Sequence, residues 1–526
     1  YKSIYSLRDI ETMGYIPLER SPNCGIASMR IACIGGGPAG LYFAISMKLR
    51  NPDHEIVVLE RNRSGDTFGW GVVFSDQTME NLKANDPFSA LQMENELAHW
   101  DDIDVHVNDG SGDIKVSSTG HGFIGIGRKR LLEILQDRAR ELGVEIRFQT
   151  EVEPDSSTLS AYDLVIAADG VNSKMRARNA QHYEADIDVR RNKFVWLGTH
   201  QRFEAFKFMF VKTEHGWIWA HAYQFDKETA TFIVECSPET YDRIGFESMD
   251  QEESCRVCER IFADYLGGHA LMTNAGHSAW INFRRVLCGR WHYGNTILLG
   301  DAAHTAHFSI GSGTKLAFED AIKLAEVLSD EKLGIEEGLE QYRESRHIEV
   351  LKLQSAARNS TEWFEDVERY LGFHPLQFTY SLLTRSQRVS HENLRLRDPD
   401  FLARVEAWFA EQATRKRQEK APPPMFAPIA LRSMELVNRI VVSPMAMYSA
   451  VDGAPTDFHM VHYGARALGG AGLVYTEMTC VSPEGRITPG CPGMWNDAQM
   501  QAWRRIVDFV HHNTQARICM QLGHSG

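Results

Sequence analysis

The chain has 526 residues, of which 43% are hydrophobic and 24% charged, and this composition predicts a globular protein with more than one domain. Its formal net charge of -14 argues against a general surface for nucleic acids or anionic membranes. It has no apolar run of about 18 residues, so no membrane span is expected. The nine scattered cysteines favour a reducing compartment, which we expect to be the cytoplasm.

The beginning of the chain differs from the rest. Residues 1–28 carry turn formers and charges without a sustained period, whereas Met29 stands directly before the strand-like stretch RIACI. We therefore expect 1–28 to be a poorly ordered leader and the folded part to begin at Met29.

The first motif follows that strand. The pattern RIACIGGGPAGLYFAISMKLRNPDHEIVVLE predicts strand, glycine turn, helix and strand, with Gly35, Gly37 and Gly40 in GxGxxG spacing and Glu60 at the end of the second strand. Glycine permits a tight turn and close approach to a pyrophosphate, the helix N-terminus favours negative charge, and Glu60 can accept from a ribose hydroxyl. This register predicts a dinucleotide site without distinguishing NAD from FAD.

Two further stretches end strands in glycine and aspartate. DLVIAADGVNSKMR ends its strand at Asp169 and Gly170, and TILLGDAAHTAHFSIGSGTKLAFEDA ends one at Gly300 and then turns into a helix. A third stretch, GRKRLLEIL, begins a helix with an arginine. The additional candidate flavin contacts in these stretches are Arg128, Gly300, Asp301, Gly311 and Gly313.

In this order, the three glycine motifs resemble those of the flavoprotein aromatic monooxygenases over residues 29–413. The resemblance implies FAD, NAD(P)H as co-substrate and O2, with Asp301 on a ribityl hydroxyl and Arg128 against the cofactor. It also implies an α/β fold with an α+β substrate domain, arranged as in para-hydroxybenzoate hydroxylase. The aromatic and β-branched segment 194–236 fits the substrate sheet of that fold.

The stretch GDAAHTAHFSIGSGTKLA at 300–317 is similar to the corresponding motif of the aryl-CoA branch of this family, represented by salicylyl-CoA 5-hydroxylase and 2-aminobenzoyl-CoA monooxygenase/reductase. Phe308 stands where many relatives have proline, and GSGTK replaces their GQGxN. The branch implies an aromatic acyl-CoA substrate. His304 and His307 are the candidate catalytic residues, because a neutral imidazole can donate or accept a hydrogen bond; satisfying backbone groups in the turn is the alternative for each.

Other interpretations remain open at this stage. GWIWAHAY places Trp217 and Trp219 as in flavin-dependent halogenases, although alternating tryptophans are also ordinary core. A flavin-binding sensor or scaffold without turnover is a second alternative. The CxxC pair, Cys255 and Cys258, lacks the second pair of a zinc site, and no metal site is predicted.

A second module follows a charged, proline-rich linker at 414–424. Residues 425–526 alternate strands and helices and resemble the start of the old yellow enzyme family through LVNRIVVSPMAMYSA, DFHMVHYGARALGGAGLVYTE and QLGHSG. That resemblance implies FMN contacts at Ser443, Pro444, Met445 and Gln521. A closed (β/α)8 barrel needs at least about 200 residues, so we expect an incomplete barrel that binds FMN poorly.

The fusion suggests a ring that is hydroxylated and then reduced. The sequence does not distinguish salicylyl-CoA from 2-aminobenzoyl-CoA, or NADH from NADPH, and a homodimer stays open. Cations for CoA phosphates exist in RRNK at 190–193 and at Arg284 and Arg285, with solvated surface charge as the alternative.

Overall fold

The computed structural model describes residues 28–67, 69–274, 279–414 and 421–526. The chain divides into two compact units between Asn393 and Leu394. The expected leader up to residue 27 and residues 415–420 of the expected linker lie outside the described residues. Within the described part, no helix has both the length and the apolar character needed to cross a bilayer.

The regular elements are as follows. The strands of the first unit are β1 (Arg30–Ile34), β2 (Glu55–Leu59), β3 (Gly71–Phe74), β4 (Ala98–Trp100), β5 (Ile103–Asn108), β6 (Asp113–Ser118), β7 (Phe123–Gly127), β8 (Glu145–Arg147), β9 (Leu164–Ala167), β10 (Ala185–Thr199), β11 (Phe206–Thr213), β12 (Gly216–Gln224), β13 (Ala230–Cys236), β14 (Leu271–Met272), β15 (Ile281–Cys288), β16 (His292–Tyr293) and β17 (Thr296–Leu298). Its helices are α1 (Pro38–Arg50), α2 (Asp76–Asn85), α3 (Pro87–Glu94), α4 (Arg128–Glu141), α5 (Lys174–Arg178), α6 (Pro238–Ile244), α7 (Gln251–Ile261), α8 (Ala263–Leu266), α9 (Gly313–Leu328), α10 (Ile335–Glu365) and α11 (Pro375–Thr384). After α12 (His391–Arg397), the second unit contains α13 (Pro399–Thr414), β18 (Ile429–Leu431), β19 (Met434–Leu436), β20 (Val441–Val442), α14 (Asp457–Leu468), β21 (Leu473–Cys480), α15 (Asp497–Asn513) and β22 (Arg517–Gly523).

A six-stranded sheet carries the glycine motifs. Its order is β16-β17-β9-β1-β2-β8, and only β16 runs antiparallel to its neighbour. Strands β1 and β9 are apolar runs buried along nearly their whole length, as expected for parallel strands covered on both faces. Because β17, β9 and β1 are adjacent and parallel, the turns after them meet at one edge of the sheet.

A second sheet covers the edge where these turns meet. Its order is β14-β10-β13-β12-β11-β5-β6, with β15 also paired to β10. Along β12 the even-numbered Ile218 and Ala220 belong to a core formed with α6 and α7, whereas the odd-numbered Trp219 stacks on Phe364 of α10, 6.1 Å between ring centroids. The period of two therefore separates a packing face from a face directed toward the flavin motifs.

The second unit has the strand and helix alternation expected of a barrel. Strands β20, β21 and β22 are parallel neighbours, and α14 and α15 connect them in turn. Tyr463, Val474 and Trp503 are fully buried in its core. Helix α13, expected to end the first domain, falls in this unit, and the Arg439 guanidinium lies 4.8 Å from the centre of the Phe409 ring on that helix.

Candidate active site

The turn between β1 and α1 accepts only glycine at two positions. Gly35 has a φ of 110°, and a Cβ there would lie 2.3 Å from the Ala168 carbonyl oxygen. A Cβ on Gly40 would lie 2.3 Å from the Gly35 oxygen, whereas one on Gly37 would meet no atom within 4 Å. Gly35 and Gly40 permit close backbone packing. Gly37 leaves open space at the helix N-terminus, where a pyrophosphate is expected.

Glu60 lies beside that turn. The Gly36 N–H donates to Glu60 Oε2 at 2.7 Å, and the Asn62 N–H donates to Oε1 at 2.8 Å. Asn62 Nδ2 also donates to Oε1, at 2.6 Å, so three donors orient the carboxylate and Oε2 keeps acceptor capacity for a ribose hydroxyl.

The other two motifs touch each other and the first. Arg176 donates from Nη1 to the Ala302 carbonyl at 2.8 Å and from Nη2 to the Val171 carbonyl at 2.6 Å. A Cβ on Gly300 would lie 3.1 Å from the Cβ of Ala39 in α1. Loops that are more than a hundred residues apart in sequence therefore form one structure at the sheet edge.

Unpaired polar atoms indicate that this edge binds a ligand. Arg128 Nε and Asp169 Oδ1 are buried and have no hydrogen-bond partner among the described residues, although Asp169 Oδ2 accepts from the Met175 N–H at 3.3 Å. An unpaired buried donor or acceptor costs about 1–3 kcal/mol, and a flavin nucleotide presents complementary acceptors and hydroxyl donors. Together with the glycine turn, these atoms fit FAD.

Asp301 directly follows Gly300 at this edge of the sheet. Its side chain is solvent-accessible, yet enough protein surrounds it that burial raises the pKa of the carboxyl, against the opposing positive charges of His304 and Arg128. Both observations hold for a carboxylate facing an internal cleft. Gly311 is also exposed, and Gly313 begins α9, so a helix N-terminus lies beside the same cleft.

His304 does not face that cleft. Its Nε2 lies 2.7 Å from Asp320 Oδ2, and Arg346 Nε donates to the other Asp320 oxygen at 2.7 Å. The His304 and Asp320 side chains are 1% and 0% exposed. The imidazole thus anchors the loop after β17 to α9, and direct catalysis by His304 stays a prediction that this location does not support.

His307 has the opposite environment. The Ser309 N–H donates to its Nδ1 at 3.2 Å, which leaves the proton on Nε2; that atom makes no hydrogen bond to the described residues and is not fully enclosed. Burial lowers the pKa of His307 to about 3. At neutral pH it is therefore an uncharged ring that presents an N–H donor.

The wall around His307 is aromatic. The Phe308 ring centroid lies 4.2 Å from that of His307, 4.6 Å from that of Phe194 and 5.7 Å from that of His221. We call the surface around Phe308 the aromatic wall. It joins the loop after β17 to strands β10 and β12 of the covering sheet.

A buried carboxylate behind the wall was not found from the sequence. Glu235 accepts from Trp219 Nε1 at 3.1 Å and from Asn192 Nδ2 at 2.8 Å, and His221 Nε2 lies 3.1 Å from the same carboxylate. The available signal was the single acid within the apolar strand ATFIVEC. Trp219, which suggested a halogenase, has its indole N–H occupied by this acid.

The candidate CoA cations already have partners. Arg190 and Arg191 pair with Glu365 and Asp366, and Arg285 pairs with Asp186 at 2.7 Å. These pairs are consistent with the alternative of surface charge.

The CxxC pair is buried. Cys255 and Cys258 lie on α7 as free thiols, and burial raises the pKa of both.

The predicted FMN contacts lie at one edge of the second unit's sheet. Ser443, Pro444 and Met445 directly follow β20, and Gln521 lies on β22, where its N–H donates to Thr476 Oγ1 at 3.2 Å. Ser443, Met445 and Gln521 are exposed. The carboxyl ends of parallel strands are where barrel sites form, so these residues fit the cofactor, and their individual roles stay predictions.

Comparison with known proteins identifies the family. Residues 28–356 match the FAD binding domain family, and residues 424–526 match the NADH:flavin oxidoreductase / NADH oxidase family. The chain is 38% identical over 451 residues to salicyloyl-CoA 5-hydroxylase from Streptomyces sp, covering 84% of each protein. The chain belongs to the FAD-dependent aromatic monooxygenases. The region shared with that relative is longer than the first unit, so it extends into the second unit of this monooxygenase.

Two further comparisons agree. The monooxygenase is 33% identical over 336 residues to 3-hydroxy-4-methyl-anthranilyl-[aryl-carrier protein] 5-monooxygenase from Streptosporangium sibiricum, covering 64% of this chain and 89% of that one. The crystal structure of PqsL from P. aeruginosa with 2-aminobenzoylacetate superposes with a TM-score of 0.51 at 19% identity, covering 66% of this chain and 99% of that one, which supports the fold.

These findings confirm several predictions. The fold, the fusion to an old yellow enzyme-like domain and the monooxygenase family are confirmed, as are FAD, FMN and NAD(P)H as the cofactors and electron donor of the two matched families. The halogenase alternative is not favoured, and a sensor without turnover is not supported, because the relatives are named as a hydroxylase and a monooxygenase.

Proposed function

We propose that the first unit hydroxylates the aromatic ring of an acyl-CoA, either salicylyl-CoA or 2-aminobenzoyl-CoA. The names of the two relatives compared above describe an aryl acyl group on a carrier, CoA in one and an aryl-carrier protein in the other. The observation that carries the proposal is the aromatic wall, which is apolar around Phe308 but offers one ring nitrogen from His221 and one from His307. Such a surface accepts a flat ring with a polar substituent and an adjacent carbonyl.

The chemistry requires an electron-rich ring in a dry cavity. FAD, once bound and reduced, supplies with O2 an electrophilic oxygen atom. A hydroxyl or amino group ortho to the thioester raises electron density at the ring carbon para to that hydroxyl or amino group. The protein binds the nucleotide through the turn containing Gly35, Gly37 and Gly40, and orients the ring against Phe308, while neutral His307 donates to a substrate oxygen.

The second unit extends the proposal. Its NADH:flavin oxidoreductase match suits reduction of the hydroxylated ring with FMN. We place both reactions in the cytoplasm, because all eight cysteines of the described residues are free thiols.

One assay tests the proposal. The purified protein is incubated with FAD, NADH or NADPH and each thioester, and O2 consumption and hydroxylated product are measured. Free salicylate and free 2-aminobenzoate serve as controls. We expect product from a thioester and little from the free acids. Equal rates with the free acids would contradict the acyl-CoA assignment, and NAD(P)H oxidation without hydroxylated product would contradict ring hydroxylation.

A further inference from the structure

Two histidines of the aromatic wall share an unusual feature. His221 and His307 each bind a protein group through one ring nitrogen, while the other nitrogen makes no hydrogen bond to the described residues and is not fully enclosed. The two rings are only 2% and 4% exposed, and both pack against Phe308. Each ring therefore keeps one accessible nitrogen while it packs against the same phenylalanine.

The protein partners give the two rings opposite tautomers. The Ser309 N–H occupies Nδ1 of His307, so Nε2 carries the proton and is a donor. Glu235 occupies Nε2 of His221 at 3.1 Å, and a carboxylate accepts only, so Nε2 carries the proton and Nδ1 is an acceptor. The aromatic wall thus presents one hydrogen-bond acceptor and one donor.

Glu235 is equipped to support a proton on His221. The carboxylate is fully buried and also accepts from Trp219 and Asn192. Burial acts to raise the pKa of Glu235, but the hydrogen bond and charge of His221 outweigh it and hold that pKa below its usual value. An ionised carboxylate against Nε2 stabilises the imidazolium that forms when Nδ1 takes a proton.

We infer that His221, held by Glu235, is the base that removes the proton from the ring hydroxyl of the substrate. The inference rests on the proposed function and selects within it the ring with an ionisable hydroxyl, salicylyl-CoA. The O–H bond breaks, its proton bonds to Nδ1 of His221, and its electron pair stays on the ring oxygen. The phenolate is the more electron-rich ring, and His307 donates to the neighbouring carbonyl oxygen.

Burial lowers the pKa of His221 below its usual value, and the charged or titratable groups that face the ring act on it in both directions. They are Glu235 from β13, His307 from the loop after β17 and Arg385 from the segment after α11. The Arg385 guanidinium lies 5.2 Å from the centre of the Phe208 ring and 5.0 Å from that of Phe364, and it donates to the Ser309 carbonyl at 2.8 Å. Arg385 opposes protonation of His221, so the charge of Glu235 is needed for proton transfer.

The test uses the full chain with FAD. The variant His221→Gln keeps an N–H donor for Glu235 but lacks the nitrogen in the Nδ1 position, and Glu235→Gln removes the charge. His215→Gln is the matched control, because His215 lies in the exposed turn between β11 and β12 with 42% of its side chain exposed. FAD content reports folding in each variant.

Two measurements distinguish a base from a structural residue. The first is the pH at which bound salicylyl-CoA ionises, followed by difference absorbance with oxidised enzyme and no NAD(P)H. We expect His221→Gln to raise this midpoint by about one pH unit or more. The second is kcat/KM, which should fall about 100-fold with salicylyl-CoA and only severalfold with 2-aminobenzoyl-CoA, whose amine need not lose a proton. His215→Gln should match the wild type in both.

The outcomes separate this inference from the proposed function. If the wild type hydroxylates neither thioester, the proposed function fails before any variant is measured. If the wild type hydroxylates salicylyl-CoA and His221→Gln has the same ionisation midpoint and kcat/KM, the inference is overturned and the function stands. Equal losses with both thioesters, or turnover of 2-aminobenzoyl-CoA alone, would also overturn it.

Discussion

Alanine substitutions at Gly35 and Gly37, two residues apart in the turn after β1, should have different effects. At Gly35, alanine would place a Cβ 2.3 Å from the Ala168 carbonyl oxygen in a backbone conformation with φ of 110°. Left-handed strain costs about 1–3 kcal/mol, and overpacking against backbone costs about 1–3 kcal/mol more. Gly35→Ala should therefore lower the free energy of unfolding by about 2–6 kcal/mol even without FAD.

At Gly37 the expectation is different. This glycine has a φ of -77° and open space around its Cβ position, so alanine should leave the apoprotein unchanged. If the cofactor pyrophosphate approaches this backbone, the added methyl group instead weakens FAD binding, by about tenfold for each 1.4 kcal/mol of overlap.

The assay measures two properties for each variant. Thermal unfolding of the apoprotein is followed by tryptophan fluorescence, and FAD affinity by quenching of flavin fluorescence. Gly372→Ala, with nothing within 4 Å of its Cβ position, is the control. Wild-type melting of Gly35→Ala would refute the steric reasoning, and wild-type FAD affinity of Gly37→Ala would refute the close approach of the pyrophosphate.

Three further predictions concern charged and titratable groups. Asp301→Asn should weaken FAD binding about 10- to 100-fold, because a charge-assisted hydrogen bond contributes about 1.5–3 kcal/mol; unchanged flavin quenching would contradict this. Burial acts to raise the pKa of Asp320, but His304 and Arg346 outweigh burial and hold that pKa below its usual value. The resulting stabilisation is present above the usual pKa and is lost as the pH falls through the lowered one. Asp320→Asn should therefore lower the melting temperature at pH 7, with a difference from wild type that shrinks below about pH 4; a constant difference would exclude the ion pair as the cause. His307→Gln, which keeps a donor, should retain more hydroxylation than His307→Ala. Folded His307 stays neutral down to about pH 3, whereas the unfolded ring protonates near pH 6.5, so wild-type stability should fall below pH 6.5 more steeply than that of His307→Gln. Parallel profiles of stability against pH would contradict this.

The parts predictable from sequence are those encoded locally. The β1 turn was recognisable because its glycines, helix and following acid lie within one short segment, where each residue type has a direct steric or electrostatic reason. The edge shared by β1, β9 and β17 followed only from resemblance to a family. The contact of Arg176 with the Ala302 carbonyl joins positions 126 apart in sequence, and no local pattern specifies such a pairing.

The two candidate histidines show where local reasoning ends. His304 and His307 lie three residues apart in one loop, yet His304 pairs with buried Asp320 and has its unpaired Nδ1 enclosed, whereas His307 leaves a ring nitrogen accessible. Two short turns, Gly300–Ala302 and Phe308–Ile310, flank the segment that contains both histidines. Composition and spacing give both residues the same chemistry, and only the tertiary neighbours distinguish a paired, enclosed imidazole from one with an accessible nitrogen.

The covering sheet resolves a conflict between dryness and polarity. Hydroxylation needs a cavity from which water is excluded, but a ring bearing a hydroxyl and a carbonyl needs hydrogen-bond partners. The wall meets both needs because its charges balance beneath the aromatic surface: Glu235 interacts with His221 and with the charge of Arg385, and His307 stays neutral. His221 and His307 then each leave one ring nitrogen accessible beside Phe308. If these nitrogens bind the substituents of the substrate ring, replacing either imidazole should change which rings are hydroxylated before it changes whether FAD binds.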